Sequence, residues 1–172
     1  MSDITIDIRE SGIVINGNAF SGKIYIDDLK PILGEPRSFE LEPDKNLLEA
    51  LEQKFGKGNV KVTKYTWDDL GIYCNTDDGK LLVDLGIALN NKGKTAPQTP
   101  KSNFKGIITI DGNNWLTEMQ KGKDHFQMYY NRKYANYYLF AEYFPETKEN
   151  PNKTEEDFTI IEIILEKVNK LN

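Results

Sequence analysis

The residues in this chain of 172 that could do chemistry are few, and most of them are carboxylates. There is one histidine, His125, and one cysteine, Cys74. A serine or cysteine nucleophile needs a base and a group to orient that base. His125 is the only imidazole, no G-x-S-x-G elbow occurs, and Cys74, in Gly71-Ile72-Tyr73-Cys74, reads as a small buried hydrophobe. A zinc site takes three or four His or Cys ligands, and the chain offers two. Phosphate-cradling motifs, G-x-x-x-x-G-K-[ST] and G-x-G-x-x-G, are missing. Glu52-Gln53-Lys54 has the acid-x-Lys spacing of some metal nucleases, but it falls on a helix rather than at a strand end. No catalytic residue, cofactor or metal is therefore expected.

What remains are three aspartate pairs, Asp27-Asp28, Asp68-Asp69 and Asp77-Asp78. Adjacent side chains on a strand point to opposite faces, so such a pair is not by itself an acid/base dyad. Asp77-Asp78-Gly79-Lys80 has the composition of a hairpin turn, because Asp-Gly tolerates positive φ. It lacks the calcium-loop pattern of oxygens at positions 1, 3 and 5, Gly at 6 and Glu at 12.

Charge and aromatic placement say more. With 22 Lys plus Arg against 27 Asp plus Glu the net charge is −5, which disfavours a nucleic-acid backbone as partner. The acid excess is concentrated: Tyr65–Asn90 holds five Asp and one Lys, and Glu142–Asp157 holds five Glu and one Asp against two Lys. Such stretches can steer and dock a basic partner. Nine of the 19 aromatic residues crowd into Phe126–Phe144. Strand alternation lets one face at most enter a core, so several of these rings should reach the surface, where tyrosine is favoured at interfaces. The expected partner-binding residues are Asp68, Asp69, Asp77, Asp78, Tyr129, Tyr130, Tyr134 and Tyr137.

The elements that must position them are mainly strands. Ile4, Ile6 and Ile8 alternate with polar residues, Ser11-Gly12 turns the chain into Ile13-Val14-Ile15, and Asn16-Gly17 turns it again. Leu81, Val83, Leu85, Ile87 and Leu89 share one face of the clearest core strand, with Asp84, Gly86 and Ala88 opposite. Ile161, Ile163 and Leu165 repeat the pattern, and Val60 and Val62 open a strand running into Tyr65 and Trp67. Helices are fewer. Asp44 caps a segment carrying Leu47, Leu48, Leu51 and Phe55 that Gly56 stops, a second helix covers Ile26–Leu33, and a third runs from Trp115 to Gln120. This is an α+β pattern, mainly antiparallel sheet with a few short helices on one side. Ile13–Phe20 matches Ile108–Trp115 at four of eight positions. The chain thus reads as a single domain, 1–172, with two duplicated half-domains, 1–92 and 104–172, joined by a connector over 90–103 that has no large apolar side chain.

Leu33-Gly34-Glu35-Pro36-Arg37, followed by Tyr65-Thr66-Trp67-Asp68-Asp69-Leu70-Gly71-Ile72, resembles an uncharacterised bacterial domain family marked by L-G-x-P-x-R and Y-x-W-D-D-L-G-I. Its later F-x-G-x-I-x-I-D-G is present as Phe104–Gly112, and a long helical insert between Phe39 and Asn59 departs from it. The resemblance implies a small cytoplasmic protein found among toxin and immunity genes, with no catalytic site. Two function classes follow. One is an immunity protein that binds and occludes a toxin or effector with a basic surface, involving no nucleic acid and no membrane. The other is a small-molecule-binding or enzyme-like module with Asp68, Asp69 or Asp84 in a pocket.

Overall fold

The computed structural model describes residues 3–91, 99–121, 124–126, 129–134 and 136–165. The chain runs β1 (Thr5–Arg9), β2 (Gly12–Ile15), β3 (Asn18–Phe20), α1 (Ile26–Leu33), β4 (Arg37–Glu40), α2 (Lys45–Phe55), β5 (Thr63–Trp67), β6 (Ile72–Thr76) and β7 (Leu82–Ala88). It continues through β8 (Ile107–Ile110), β9 (Asn113–Asn114), α3 (Trp115–Lys121), β10 (Asp124–Phe126), β11 (Tyr129–Lys133), β12 (Tyr138–Tyr143) and β13 (Phe158–Ile164). Two sheets result: a five-stranded one ordered β3-β2-β1-β8-β9 and an eight-stranded one ordered β10-β11-β12-β13-β7-β6-β5-β4. The larger is antiparallel throughout, while β1 pairs parallel with β8 and makes the smaller one mixed. The fold is α+β.

Alternation sorts each strand's side chains onto two faces, and one face of each sheet enters the core. Ile6, Ile8, Ile13, Ile15, Ile108 and Ile110 from the small sheet share one core with Trp67, Ile72, Cys74, Leu85, Ile87, Leu139, Ile161 and Ile163 from the large one. Ile26, Leu29 and Leu33 of α1 and Trp115, Leu116 and Met119 of α3 belong to the same core. The strand starting at Val60 is shorter than its apolar pattern suggests, since regular pairing begins at Thr63 and Lys61 makes only an isolated bridge to Asp78. The central strand is likewise shifted: a bulge at Asn75/Thr76 makes Leu82, rather than Leu81, the fully buried residue at its start.

Residues 12–88 and 107–164 follow one plan, a hairpin, a helix, then four strands in antiparallel sequence, with α2 interrupting the first run. The two runs join where β7 meets β13, with Ile87 opposite Ile161 and Leu85 opposite Ile163. The hairpin turns also agree: Asn16 and Gly17 have φ of 48° and 81°, Asp111 and Gly112 of 54° and 80°. Two successive positive φ values are what a two-residue hairpin turn needs, which is why Asn-Gly and Asp-Gly stand there. Within the connector, residues 99–103 are docked, with Pro100 buried and the Ser102 N–H donating to the Asp68 carbonyl at 2.9 Å.

Candidate protein-docking surface

The aspartates singled out in the sequence sit at opposite ends of β6. Asp77 and Asp78 belong to the β6–β7 turn, where Asp78 Oδ1 accepts from the Lys80 and Leu81 N–H groups at 2.9 and 2.8 Å. They shape the turn. Asp68 and Asp69 occupy the β5–β6 turn, and their roles differ. Arg37 grips Asp68 in a two-point pair, Nε to Oδ2 and Nη2 to Oδ1, each 2.7 Å. The guanidinium holds the Asp68 carboxyl below the usual carboxylate range. Beside them the Trp67 indole N–H donates to the Gly34 carbonyl at 2.8 Å, fastening the end of α1 to the end of β5. Asp69 is exposed and makes no salt bridge among the described residues.

Glycines set up the surface around Asp69. Gly71 has φ +68°, and a Cβ on it would lie 2.3 Å from the Phe104 nitrogen. A Cβ on Gly106 would lie 2.4 Å from Phe104 Cζ. Only glycine at both positions lets Phe104 settle, its N–H donating to the Ala88 carbonyl at 2.7 Å. Phe104 in turn lines two openings. One, of about 520 Å³, is walled by Ile4, Ile32, Leu33, Leu70 and Phe104, with Asp3, Asn16, Asp69 and Lys105 also on its lining. The other, of about 750 Å³, has Glu155, Glu156 and Asp157 facing Ile107, Ile108, Trp115 and three asparagines, without a Lys or Arg. Ile107 is 58% exposed. The segment 103–108 therefore runs between two openings with carboxylates on both flanks and a single cation, Lys105.

The tyrosines divide otherwise than expected. Tyr130 and Tyr137 are 3% and 1% exposed, so both are core residues and neither can touch a partner from the surface. Strand parity is the reason: Tyr130 pairs with Ala141 on the inward face of β11 and β12, and Tyr129 pairs with Glu142 on the outward face. Tyr129 packs edge-on against Phe140 at 5.3 Å, and the half-buried Tyr134 donates its hydroxyl to Asp111 at 3.2 Å. Another opening, of about 880 Å³, lies against residues 148–153. There the chain supplies its own cation, since Lys153 Nζ sits 4.4 Å from the Tyr143 ring centre and donates to the Asn150 carbonyl at 2.7 Å.

Asp84 lies elsewhere, on the outward face of the large sheet. Both its oxygens accept from Asn75 Nδ2 at 3.0 Å, and it shares a hydrogen bond with Glu162 across the β7–β13 junction. Burial and Asp84 push the Glu162 carboxyl up to about 8, so that it keeps its proton at neutral pH. Next to it the Tyr73 ring covers Gly86, whose missing side chain makes the room, and Lys64 Nζ stands 4.5 Å over that ring. Of Asp68, Asp69 and Asp84, only Asp69 lines one of the three openings described above. Cys74 is fully buried, with its thiol pushed far up by burial, and the His125 side chain lies outside the described residues.

Residues 5–125 match the family described as a domain of unknown function, DUF7738, well over half of the chain. The chain belongs to the DUF7738 family. No curated protein and no solved structure matches it. The DUF7738 match ends before β11, β12 and β13, although β12 and β13 occupy the middle of the large sheet. No helix among the described residues is long and apolar enough to cross a membrane.

The sequence of this DUF7738 chain singles out Asp69 but not Ile107, Phe104 and the carboxylates around them as one surface. Their convergence depends on β1 pairing parallel with β8 across about a hundred residues, which no local pattern announces. Two signals were visible. Gly71 and Gly106 stand in Leu70-Gly71-Ile72 and Phe104-Lys105-Gly106, where a glycine inside strand-like sequence marks close backbone approach.

Proposed function

We propose that this protein works by binding another protein whose contacting surface is basic. The observation that carries the reading is the pair of openings on either side of 103–108, where apolar walls meet Asp69 on one flank and Glu155, Glu156 and Asp157 on the other, with Ile107 exposed between. Exposed apolar surface on which carboxylates outnumber cations suits a partner with complementary charge. Two of the three carboxylates that a catalytic reading would use are engaged, Asp68 by Arg37 and Asp84 by Asn75 and Glu162, and the third, Asp69, stands exposed away from both. That arrangement supports binding over catalysis.

The finer form of the proposal is that the partner is a toxin or effector and that this is an immunity protein, occluding the toxin without chemistry of its own. It rests on the resemblance carried by the Trp67–Ile72 and Phe104–Gly112 motifs and on an acidic surface suited to a toxin that acts on a negatively charged substrate. The test is binding kinetics between the purified protein and the product of the neighbouring gene, with rescue from that product's toxicity in cells. The association rate should fall as added salt screens charges beyond about 10 Å at 0.1 M. No complex at micromolar concentration, together with no rescue, would overturn the reading.

A further inference from the structure

We propose that the crevice beside Asp69 is a receptor for one arginine side chain of the partner; this rests on the protein-binding reading above. The argument comes from the way the second half of the molecule builds the same corner. In each half the last inward-facing residue before the turn between its second and third sheet strands reaches for the helix. In the first half that residue is Trp67, whose single N–H is used on Gly34 at the end of α1. In the second it is Arg132, whose guanidinium has donors to spare. Arg132 donates to the Glu118 carboxylate of α3 at 3.0 Å, pairs with Asp111 of the β8–β9 turn at 3.7 Å, and lies 5.1 Å from the Tyr134 ring centre. One guanidinium thus ties helix, hairpin turn and strand turn together.

The first half brings the same three elements together with other side chains, Leu33 from α1, Asn16 from the hairpin turn and Leu70 with Asp69 from the strand turn, and an opening stays between them. Leu33 of α1, Leu70 of the strand turn and Phe104 wall an opening of about 520 Å³, and Asp69 stands on its lining with no salt bridge among the described residues. An arginine has an aliphatic stem for such walls and a planar head for the carboxylate. Asp3 on the same lining adds a second negative charge, and Lys105 is the cation that an incoming guanidinium must keep away from. Asp68, the neighbouring carboxylate, is occupied by Arg37 and leaves the task to Asp69.

The probe is N-acetyl-arginine-methylamide, titrated into the whole protein and followed by amide NMR shifts, with the neutral citrulline analogue and the lysine analogue alongside. Saturable shifts confined to Leu33, Asp69, Leu70 and Lys105, weakened about tenfold by Asp69→Asn and weaker still for citrulline, are expected. Equal shifts with citrulline, an unchanged titration of Asp69→Asn, or no shift at any concentration would each overturn the proposal. Asp69 is exposed, so the variant should keep its spectrum elsewhere, which separates lost binding from lost fold. Failure here with a complex still formed by the neighbouring gene product overturns the arginine receptor alone, whereas loss of that complex overturns the protein-binding reading.

Discussion

The two halves of the molecule meet the same architectural demand with different side chains. Where helix, hairpin turn and strand turn converge, the second half is closed by Arg132, Glu118, Asp111 and Tyr134, with Lys121 adding a 2.9 Å contact to Glu118. The first half fastens helix to strand through Trp67 and leaves an opening bordered by Asp69. A tryptophan has one donor and a large apolar body, whereas an arginine has five donors in a fixed fork. The difference teaches that the same corner can be closed by charge or left open, and that one residue type settles which.

Substitutions can break or sharpen this contrast. The largest effect should come from the seam shared by both halves. Leu85 is fully buried opposite Ile163, so Leu85→Asp places an unpaired charge in the core and should cost on the order of 4 kcal/mol or more, abolishing a cooperative thermal melt. Next, Arg132→Met strips one of two cationic partners from Glu118, which is 5% exposed, and should lower Tm by several degrees. An unchanged melt would mean that the closed corner adds nothing to stability.

A third test uses pH, because the carboxyl pair at the seam takes one member from each half. Glu162 carries a raised folded value of about 8 against 4.5 for the ordinary group, so the folded state holds this proton more tightly than the unfolded chain does. Its contribution is fully present below about 4.5 and lost as pH rises through 8. The urea midpoint should decline across that window, and Glu162→Gln should flatten the decline. Asp68, held low by Arg37, works in the opposite sense, supporting the fold at neutral pH and losing that support in strong acid, as pH falls through its lowered value. The smallest effect on stability is expected from Asp69→Asn, within about 0.5 kcal/mol in a urea melt, although the same change should weaken partner binding. Equal stability losses from Arg132→Met and Asp69→Asn would erase the distinction between a closed and an open corner.

What could be read from the sequence was local. Asp44 as the cap of α2, Gly56 as its stop and the bounds Ile26–Leu33 of α1 follow from signals lying within a few residues of one another. The core role of Leu85 and Ile87 follows from alternation in the same way. The tyrosine assignments failed at Tyr130 and Tyr137 because alternation fixes which residues share a face and leaves open which face is inward. That choice is made by Leu139 and Ala141, which pair opposite Ile163 and Ile161 on the core side. The partnership of Arg37 with Asp68 and of Arg132 with Glu118 joins residues on different elements, and nothing in their spacing reveals it.

The junction of β7 with β13 also governs how the molecule can be divided. The family match closes at residue 125, but a protein cut there would lose β13, the strand lying against β7. Leu85 and Ile87 would then sit on a bare sheet margin with unpaired amide and carbonyl groups and nothing charged on the strand except Asp84. A long apolar margin of that kind recruits a strand from another molecule. Such a fragment should aggregate, and β13 serves the first half as a built-in guard against self-assembly.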